Sequence, residues 1–387
     1  MIARCVHGLA RLIVGLAGFI LPASAADWGR AMADEVGRMA RAGEALRFAL
    51  GCLLCAVREA FGAFAGAPAG ADLDGGGERD VPADPAPAAP RPLLVACAAA
   101  AVLLGLGHMS VGGAPATMML MNLIALALGL LLISTATMLR AMLPAPDPRT
   151  LSLLLALLLL AATLGGVTVD GATRWIRLGG LSIQPSLILL PLILLCFARS
   201  PSPASLLAIL VSTVTFALQP DRAMAGALAA GLLGLALLRP GRVTFLALSV
   251  ATMGFVATLA QPDVQPAMPF VDRILSTAFQ VHPMAGVAVV GGALLLVVPG
   301  LRALSGPIDG RPLGAVFVAT WAAIVGAAAL GNYPTPLVGY GGSAILGYLA
   351  CLWGLPRTAA LSGRVPLGGG SSALDDDYHL LSLALKD

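Results

Sequence analysis

The sequence has few charged residues, and this scarcity limits the kind of protein it can encode. Charged side chains make up 11% of the 387 residues, whereas hydrophobic residues make up 58%. Soluble domains carry about 25% charged residues. Lys386 is the single lysine, so the basic residues are almost all arginine. This predominance indicates a compositional bias and gives no reason to expect nucleic-acid binding. The composition excludes an ordinary soluble domain and predicts a protein that lies largely in lipid.

The sequence also lacks a pattern of cysteines typical of a disulfide framework. Its six cysteines lie mostly in apolar runs, where cysteine behaves as a small hydrophobic residue. Cys52 and Cys55 have the C-x-x-C spacing of a redox pair or of half a zinc site. No second pair and no nearby histidine completes such a site. We therefore expect a structural role for both cysteines, with no metal and no cofactor.

About ten apolar runs fill the chain after residue 92, and they predict an all-α, polytopic membrane protein with about ten transmembrane helices. The runs are 93–110, 116–139, 151–168, 186–198, 204–218, 223–238, 243–260, 284–300, 313–331 and 340–356. Several are shorter than the roughly 20 residues that a perpendicular span requires. Their helices must extend into the loops, or some of them are half-helices or re-entrant segments.

The segments outside these runs predict three further parts of the chain. Residues 1–65 are expected to form an N-terminal extension of amphipathic, membrane-associated helices, because apolar and charged residues mix at helical spacing from Asp27 onward. Residues 66–91 are rich in Ala, Gly and Pro and predict a flexible linker. Residues 92–356 form the transmembrane domain, and the polar residues 357–387 predict a disordered cytoplasmic tail.

The first 26 residues resemble a secretory signal, with arginines before an apolar run and Ala23-Ser24-Ala25 after it. Cleavage there would leave the following arginine-rich stretch outside the cell. The distribution of arginine in later loops opposes that orientation. We therefore expect the segment to be retained, with cleavage as the alternative.

Arginine is distributed unequally between alternate loops. One set of loops contains Arg140, Arg149, Arg199, Arg239, Arg242, Arg302, Arg311, Arg357 and Arg364. The other set contains Arg174, Arg177, Arg222 and Arg273. Because basic residues concentrate on the cytoplasmic side of membrane proteins, both termini are expected to be cytoplasmic, with an even number of helices between them.

Three polar clusters lie at helix ends on the predicted outer side. The first, residues 170–186, is a loop that contains Arg174, Trp175 and Arg177. Arginine holds phosphate oxygens with two parallel hydrogen bonds, which suits a lipid pyrophosphate head group. Alternatively, the tryptophan and the arginines only anchor the loop at the depth of the head groups.

The second and third clusters join the later helices. Gln219-Pro220-Asp221-Arg222 forms a tight turn in which Asp221 can cap the following helix, so its role is either functional or purely architectural. In the third cluster, residues 332–343, prolines and glycines break the chain before the last helix. Broken backbone at membrane depth indicates either a cavity or tight packing through small residues.

These clusters contain, in order, the motifs R-W-I-x-L-G, Q-P-S, Q-P-D and P-x-x-x-Y-G-G-S. In this order the sequence, over roughly residues 93–356, resembles the FtsW/RodA/SpoVE (SEDS) family of bacterial cell-wall proteins. The resemblance implies the ten-helix SEDS fold in the bacterial inner membrane. It also implies a role in cell division or cell shape, since the family polymerises lipid-linked disaccharide into peptidoglycan beside a class B penicillin-binding protein.

The resemblance implies a set of substrate-binding residues that match its motifs or lie within them. The candidates are Arg174, Trp175, Arg177, Gln184, Asp221, Tyr340 and Ser343. The implied substrate is a polyprenyl-pyrophosphate-linked glycan, and the implied partners are membrane lipid and a class B penicillin-binding protein or other components of the division or elongation machinery. No nucleic acid is expected.

Two departures from the family pattern bear on catalysis. The family usually has a Glu and a Lys after Q-P-S, where this chain has Leu187 and Leu190. The family's outer loop after the seventh helix carries an essential Asp, but here that loop is shortened to roughly residues 261–283. The nearest alignment places His282 at the family's histidine and Met284 at its aspartate.

Asp272 and His282 are the candidate replacements for the missing catalytic base. Asp272 is adjacent to Arg273, which we expect to lower its pKa and weaken it as a proton acceptor. The alternative is that the two residues form a solvated ion pair at the interface. His282 is the other candidate proton acceptor, because histidine is the usual acid–base side chain near neutral pH. The alternative is that His282 marks only a polar helix boundary.

The sequence therefore predicts a SEDS-like membrane protein that binds a lipid-linked glycan, and it leaves enzymatic activity open. One alternative is a non-catalytic scaffold or regulator of the wall machinery. Another is a transporter that flips the lipid-linked precursor. If Arg174, Arg177 and Asp272 face one outer cavity, substrate binding is favoured, whereas charges spread among the head groups favour the scaffold.

Overall fold

The computed structural model describes residues 26–65, 92–142, 144–169, 171–179, 181–262 and 265–355, together with parts of residues 7–21. The predicted linker, the predicted tail and most of the signal-like segment lie outside these residues. So do Asp170 and Asp263.

Residues 26–65 form two helices, α1 (Ala26–Arg38) and α2 (Ala42–Ala65). On α2, Cys52 is buried and Cys55 is exposed, and both are free thiols. The helix packs against a later helix of the bundle, α12 (Val298–Leu304). The mixed apolar and charged spacing of this region therefore corresponds to helices, as expected.

The remaining helices correspond to the predicted apolar runs, except for one short helix that lies within residues 261–283. They are α3 (Pro92–Val111), α4 (Ala116–Met142), α5 (Pro148–Leu164), α6 (Pro185–Arg199), α7 (Pro203–Leu218), α8 (Arg222–Leu238), α9 (Arg242–Leu259), α10 (Ile274–Val281), α11 (Pro283–Leu295), α12, α13 (Arg311–Leu330) and α14 (Gly342–Gly354). Among the described residues, five apolar segments are long enough to cross a membrane, and five shorter apolar helices accompany them. The chain is a polytopic, all-α membrane protein, as predicted.

Local sequence explains where several of these helices begin. Pro148, Pro185, Pro203 and Pro283 occupy first-turn positions, where a missing amide hydrogen costs no helical hydrogen bond. Asp147 caps α5 by accepting a 3.1 Å hydrogen bond from the Thr150 amide. Proline positions and a helix cap thus account for where these helices begin.

The first polar cluster is not an irregular loop, which corrects the sequence-based expectation. It forms a three-stranded antiparallel sheet of β1 (Val167–Val169), β2 (Ala172–Leu178) and β3 (Leu181–Ile183). Gly171 and Gly179 have φ values of 80° and 58°, which glycine adopts readily at hairpin turns. The sheet fixes the direction of each side chain in this segment.

The connections between successive helices lie alternately at two opposite ends of the helix bundle. At the first, which we call the motif end, Gln265 donates a 2.7 Å hydrogen bond to the Val169 carbonyl, and Asn332 donates a 2.8 Å bond to the Gln265 carbonyl. At the other, the arginine end, Arg149 donates to the Ser200 hydroxyl and Arg239 to the Ala198 carbonyl. The three polar clusters therefore lie at one end of the bundle.

The interior of the bundle contains an aromatic group and close helix contacts. The Tyr348 ring lies 5.0 Å from Trp321 and 5.4 Å from Phe317, measured between ring centroids. Glycine allows α14 to approach α6, because a Cβ at position 347 would lie 2.1 Å from the Leu187 carbonyl oxygen. This packing places the start of α14 beside the start of α6, where two of the predicted motifs meet.

Candidate substrate-binding site

Strand β2 determines where the two arginines of the first cluster lie. Side chains three residues apart on a strand project from opposite faces. Arg174 is buried, at 4% exposure, whereas Arg177 is exposed. The two arginines therefore do not face one cavity, which is the arrangement that would favour substrate binding, because the strand separates them. Trp175 is half-buried and projects from the face opposite Arg174.

Arg174 connects the first cluster to the second and third clusters. Its guanidinium group donates a hydrogen bond to the carbonyl oxygen of Pro220, in the Q-P-D turn. Its Cζ atom also lies 5.5 Å from the centre of the Tyr333 ring, a cation–π distance. A permanent positive charge is thus held inside the motif end of the bundle.

Gln184 joins the three polar clusters through hydrogen bonds. Its backbone amide donates to the Ser343 hydroxyl at 3.0 Å. Its side-chain nitrogen lies 3.2 Å from the Ser186 hydroxyl and 3.3 Å from an Asp221 carboxylate oxygen. All four side chains are at least nine-tenths buried. They hold the start of α6, the α7–α8 turn and the start of α14 together.

The Q-P-D turn has an architectural role that the sequence anticipated. Asp221 caps α8, because its other carboxylate oxygen accepts a 3.2 Å hydrogen bond from the Met224 amide. Gln219 donates to the Thr163 hydroxyl at 2.6 Å. Arg222 does not neutralise Asp221 but donates to the carbonyl oxygens of Thr258 and Gln261. The turn is thereby fixed to α5 and α9.

Asp272 is buried beside Arg174, which corrects the expectation of a solvated ion pair. Its side chain is 9% exposed and accepts a 2.8 Å hydrogen bond from the Met268 amide, while Arg273 is exposed. Burial raises the pKa of Asp272, and this effect exceeds the opposing influence of the Met268 hydrogen bond and of the charges of Arg174 and Arg273. The predicted lowering of the pKa by Arg273 is therefore wrong in net direction.

His282 does not lie with these residues. It is exposed and caps α11, because its Nδ1 atom accepts a 3.1 Å hydrogen bond from the Met284 amide. Helix α10 separates it from Asp272, and eight residues of helix span about 12 Å. The presence of α10 also shows that the outer segment 261–283 is not a simple loop.

The third cluster packs tightly into the bundle. Val338 is fully buried, and a Cβ at position 105 on α3 would lie 2.3 Å from its carbonyl oxygen. The backbone of this cluster pairs with the outer segment, since Thr335 and Tyr340 donate to the carbonyls of Val271 and Phe270 at 2.9 and 2.7 Å. Of the two alternatives, tight packing describes this part of the segment.

Sequence patterns did not indicate two further polar residues at this end, Asn122 and His108. Asn122 on α4 is fully buried and hydrogen-bonded to the third cluster. His108 on α3 is buried with its ring 6.2 Å from Phe270, and its Nδ1 atom has no hydrogen-bond partner among the described residues. Both lie in apolar runs, where a single polar residue is only weak evidence of a functional site.

The two leucines that replace the family's polar pair lie in the core. Leu187 and Leu190 on α6 are 3% and 0% exposed. Neither can supply a charge or a proton acceptor. The buried charged side chains at the motif end include Arg174, Asp221 and Asp272.

No protein-family model matches the sequence, and no curated protein matches it. Among solved structures, the chain is similar to the rod shape determining protein RodA of Thermus thermophilus, with 24% identity, a TM-score of 0.48, and coverage of 68% of this chain and 95% of RodA. A point mutant of the same RodA gives a TM-score of 0.47 at the same identity and coverage. A chain from a structure of a peptidoglycan synthase complex is 26% identical, with a TM-score of 0.46 and coverage of 68% of this chain and 96% of that chain.

Proposed function

We propose that the chain is a SEDS-like protein of bacterial cell-wall biogenesis that binds a polyprenyl-pyrophosphate-linked glycan at the motif end. The observation that carries this proposal is the meeting of four motif residues, Arg174, Gln184, Asp221 and Ser343, in one buried polar cluster. Gln184 and Ser343 are 159 residues apart in sequence. Buried polar groups at membrane depth are costly, and their concentration at one helix end favours a functional site.

The residues of this cluster and their neighbours have two proposed roles, contact with the lipid-linked glycan and support of the surrounding helix ends. Arg174 supplies positive charge for the pyrophosphate, and the exposed Arg177 supplies a second charge at the depth of the head groups. Trp175 and Tyr340 are half-buried and present aromatic rings to the glycan. Gln184, Asp221 and Ser343 are buried, so their proposed role is to hold the surrounding helix ends in place.

Asp272 is the proposed proton acceptor for polymerisation. In that reaction a sugar hydroxyl attacks the anomeric carbon of a second glycan, its proton passes to the carboxylate, and the bond to the pyrophosphate breaks. A carboxylate whose pKa is raised by burial accepts a proton more readily at neutral pH than an ordinary aspartate does. The charge of Arg174 acts on Asp272, which supports a role for this carboxylate close to the proposed pyrophosphate. A class B penicillin-binding protein is the proposed partner.

A non-catalytic scaffold that binds the same lipid is the second candidate. The observation that favours it is the burial of Leu187 and Leu190, which replaces a polar pair with apolar core. In this case the chain would retain the fold, the lipid site and a partner surface, without forming glycan strands.

Polymerisation of fluorescent lipid-linked disaccharide by the purified protein in lipid nanodiscs distinguishes these candidates. The assay compares the wild type with Asp272→Ala and His282→Ala, each with and without class B penicillin-binding proteins of the same bacterium. Asp309→Ala is the matched control, because Asp309 is an exposed carboxylate before α13, at the arginine end. We expect glycan strands from the wild type, His282→Ala and Asp309→Ala, and none from Asp272→Ala. Lipid binding without strands from any of these proteins would favour the scaffold.

A further inference from the structure

Asn122 is a fully buried amide on the second turn of α4, within a segment long and apolar enough to cross a membrane. A buried amide in such a helix is costly unless its donors and acceptors are satisfied. Its neighbours in sequence are methionine, leucine and isoleucine, so a hydrophobic residue here would fit the composition of the helix.

Both ends of the Asn122 amide bind the backbone of the third cluster. Its nitrogen donates to the Gly339 carbonyl oxygen at 2.8 Å, and its oxygen accepts from the Gly341 amide at 3.1 Å. These two contacts lie on either side of Tyr340. The same nitrogen lies 4.0 Å from the Met109 sulfur on α3. A single side chain thus fixes the Gly339 carbonyl and the Gly341 amide, which lie 217 and 219 residues away in sequence.

The fixed segment leads directly to the candidate site. Tyr340 donates through its backbone to the Phe270 carbonyl, two residues before Asp272. Ser343 follows Gly341 by two residues and accepts from the Gln184 amide. The orientation of Tyr340 and Ser343 relative to Asp272 and Gln184 therefore depends on the backbone that Asn122 holds.

We propose that Asn122 is a positioning residue of the candidate site, which sets the backbone of residues 339–341 so that Tyr340 faces the bound glycan lipid and Ser343 keeps its hydrogen bond with Gln184. It contacts the site through this backbone and does not itself touch the glycan. The inference rests on the proposed function, because the effect that it predicts is on the binding of the lipid-linked disaccharide.

The test compares wild type, Asn122→Ala and Tyr348→Phe in the full-length protein in nanodiscs. Tyr348→Phe is a matched control, since it removes one long-range buried hydrogen bond, from Tyr348 to the Leu296 carbonyl at 2.9 Å, and this bond involves none of residues 339–341. Affinity for the lipid-linked disaccharide and hydrogen exchange of the amides of Gly341 and Gln184 are measured for each. Thermal stability is recorded to identify any variant that fails to fold.

We expect Asn122→Ala to bind the disaccharide about tenfold more weakly, because it loses two hydrogen bonds that order the site. We also expect faster exchange at Gly341 and Gln184, with both properties unchanged in Tyr348→Phe. Unchanged affinity in a folded Asn122→Ala, while the wild type binds, would overturn the inference and leave the proposed function standing. An equal loss of affinity in both variants would also overturn the inference, since loss of any buried hydrogen bond would then weaken binding. Absence of binding by the wild type would overturn the proposed function, and the positioning role with it.

Discussion

Burial, more than the adjacent arginine, controls the ionisation of Asp272. From the sequence, Arg273 was the obvious influence, and an exposed ion pair was the expected outcome. The chain instead turns Asp272 inward and leaves Arg273 exposed, because Arg273 has a left-handed backbone with φ of 55° at the start of α10. Sequence adjacency therefore predicted the wrong electrostatic partner. Which carboxylate is buried depends on how residues 265–273 pack against the third cluster, and no local pattern encodes that.

The raised pKa of Asp272 predicts how stability depends on pH. Below the ordinary aspartate pKa of about 3.9, the residue is neutral in both folded and unfolded protein and has no effect. As pH rises from that value through the raised pKa of the folded state, the carboxyl ionises more readily in the unfolded than in the folded protein, and this difference destabilises the fold. We therefore expect Asp272→Asn to raise the unfolding temperature in detergent at neutral pH and to have little effect near pH 3.5. A stabilisation that is equal at both pH values would show that ionisation is not its cause.

The helix cap at Asp221 yields a second prediction for a single residue. Asp221→Ala removes the cap of α8 and one contact of Gln184, so we expect a loss of about 1 to 2 kcal/mol in the free energy of unfolding. Asp147→Ala at α5 is the control, because that cap is exposed and bonded only within its own first turn. Lipid binding should fall in the Asp221 variant alone. Equal effects of the two variants on binding would contradict a link between the cap and the site.

At the scale of elements, the apolar runs predicted the helices of the bundle closely, because long hydrophobic segments leave few alternatives in lipid. The sheet β1–β3 was missed, although Asp170-Gly171 and Gly179-Gly180 are turn signals between short strand-like segments. The strand assignment determines which arginine belongs to the buried cluster, since it buries the Arg174 side chain and leaves the Arg177 side chain exposed. Asn122 and His108 could not be placed by sequence, because their importance comes from contacts with distant segments.

Contact between α6 and α14 provides a prediction at this scale. Gly347 lies against the Leu187 carbonyl, so Gly347→Val must push the two helices apart. Overpacking of this kind costs roughly 1 to 3 kcal/mol. We expect a lower unfolding temperature and weaker lipid binding, because the hydrogen bond from Gln184 to Ser343 spans the same two helices. Gly326→Val on α13 is the control, since no atom lies within 4 Å of a Cβ there, and it should have little effect on either.

For the whole molecule, the separation of the motif end from the arginine end predicts the orientation in the membrane. Exposed residues at each end can be replaced by cysteine and treated with a membrane-impermeant maleimide in intact cells, in a background without the native cysteines. We expect labelling of Arg177→Cys and none of Arg149→Cys until the membrane is permeabilised, because the arginine-rich end should be cytoplasmic. Labelling of Arg149→Cys in intact cells would reverse the proposed orientation and remove the site from the outer surface.

The most direct test of the central claim is the affinity of the purified protein for a polyprenyl-pyrophosphate-linked disaccharide, compared between wild type, Arg174→Gln and Arg177→Gln. Loss of a charge-assisted contact with pyrophosphate should weaken binding about tenfold to a hundredfold. The account predicts that loss for Arg174→Gln, with a smaller loss for the exposed Arg177→Gln on the same strand. Equal affinities for wild type and a folded Arg174→Gln would contradict the claim that the buried polar cluster at the motif end binds the lipid head group.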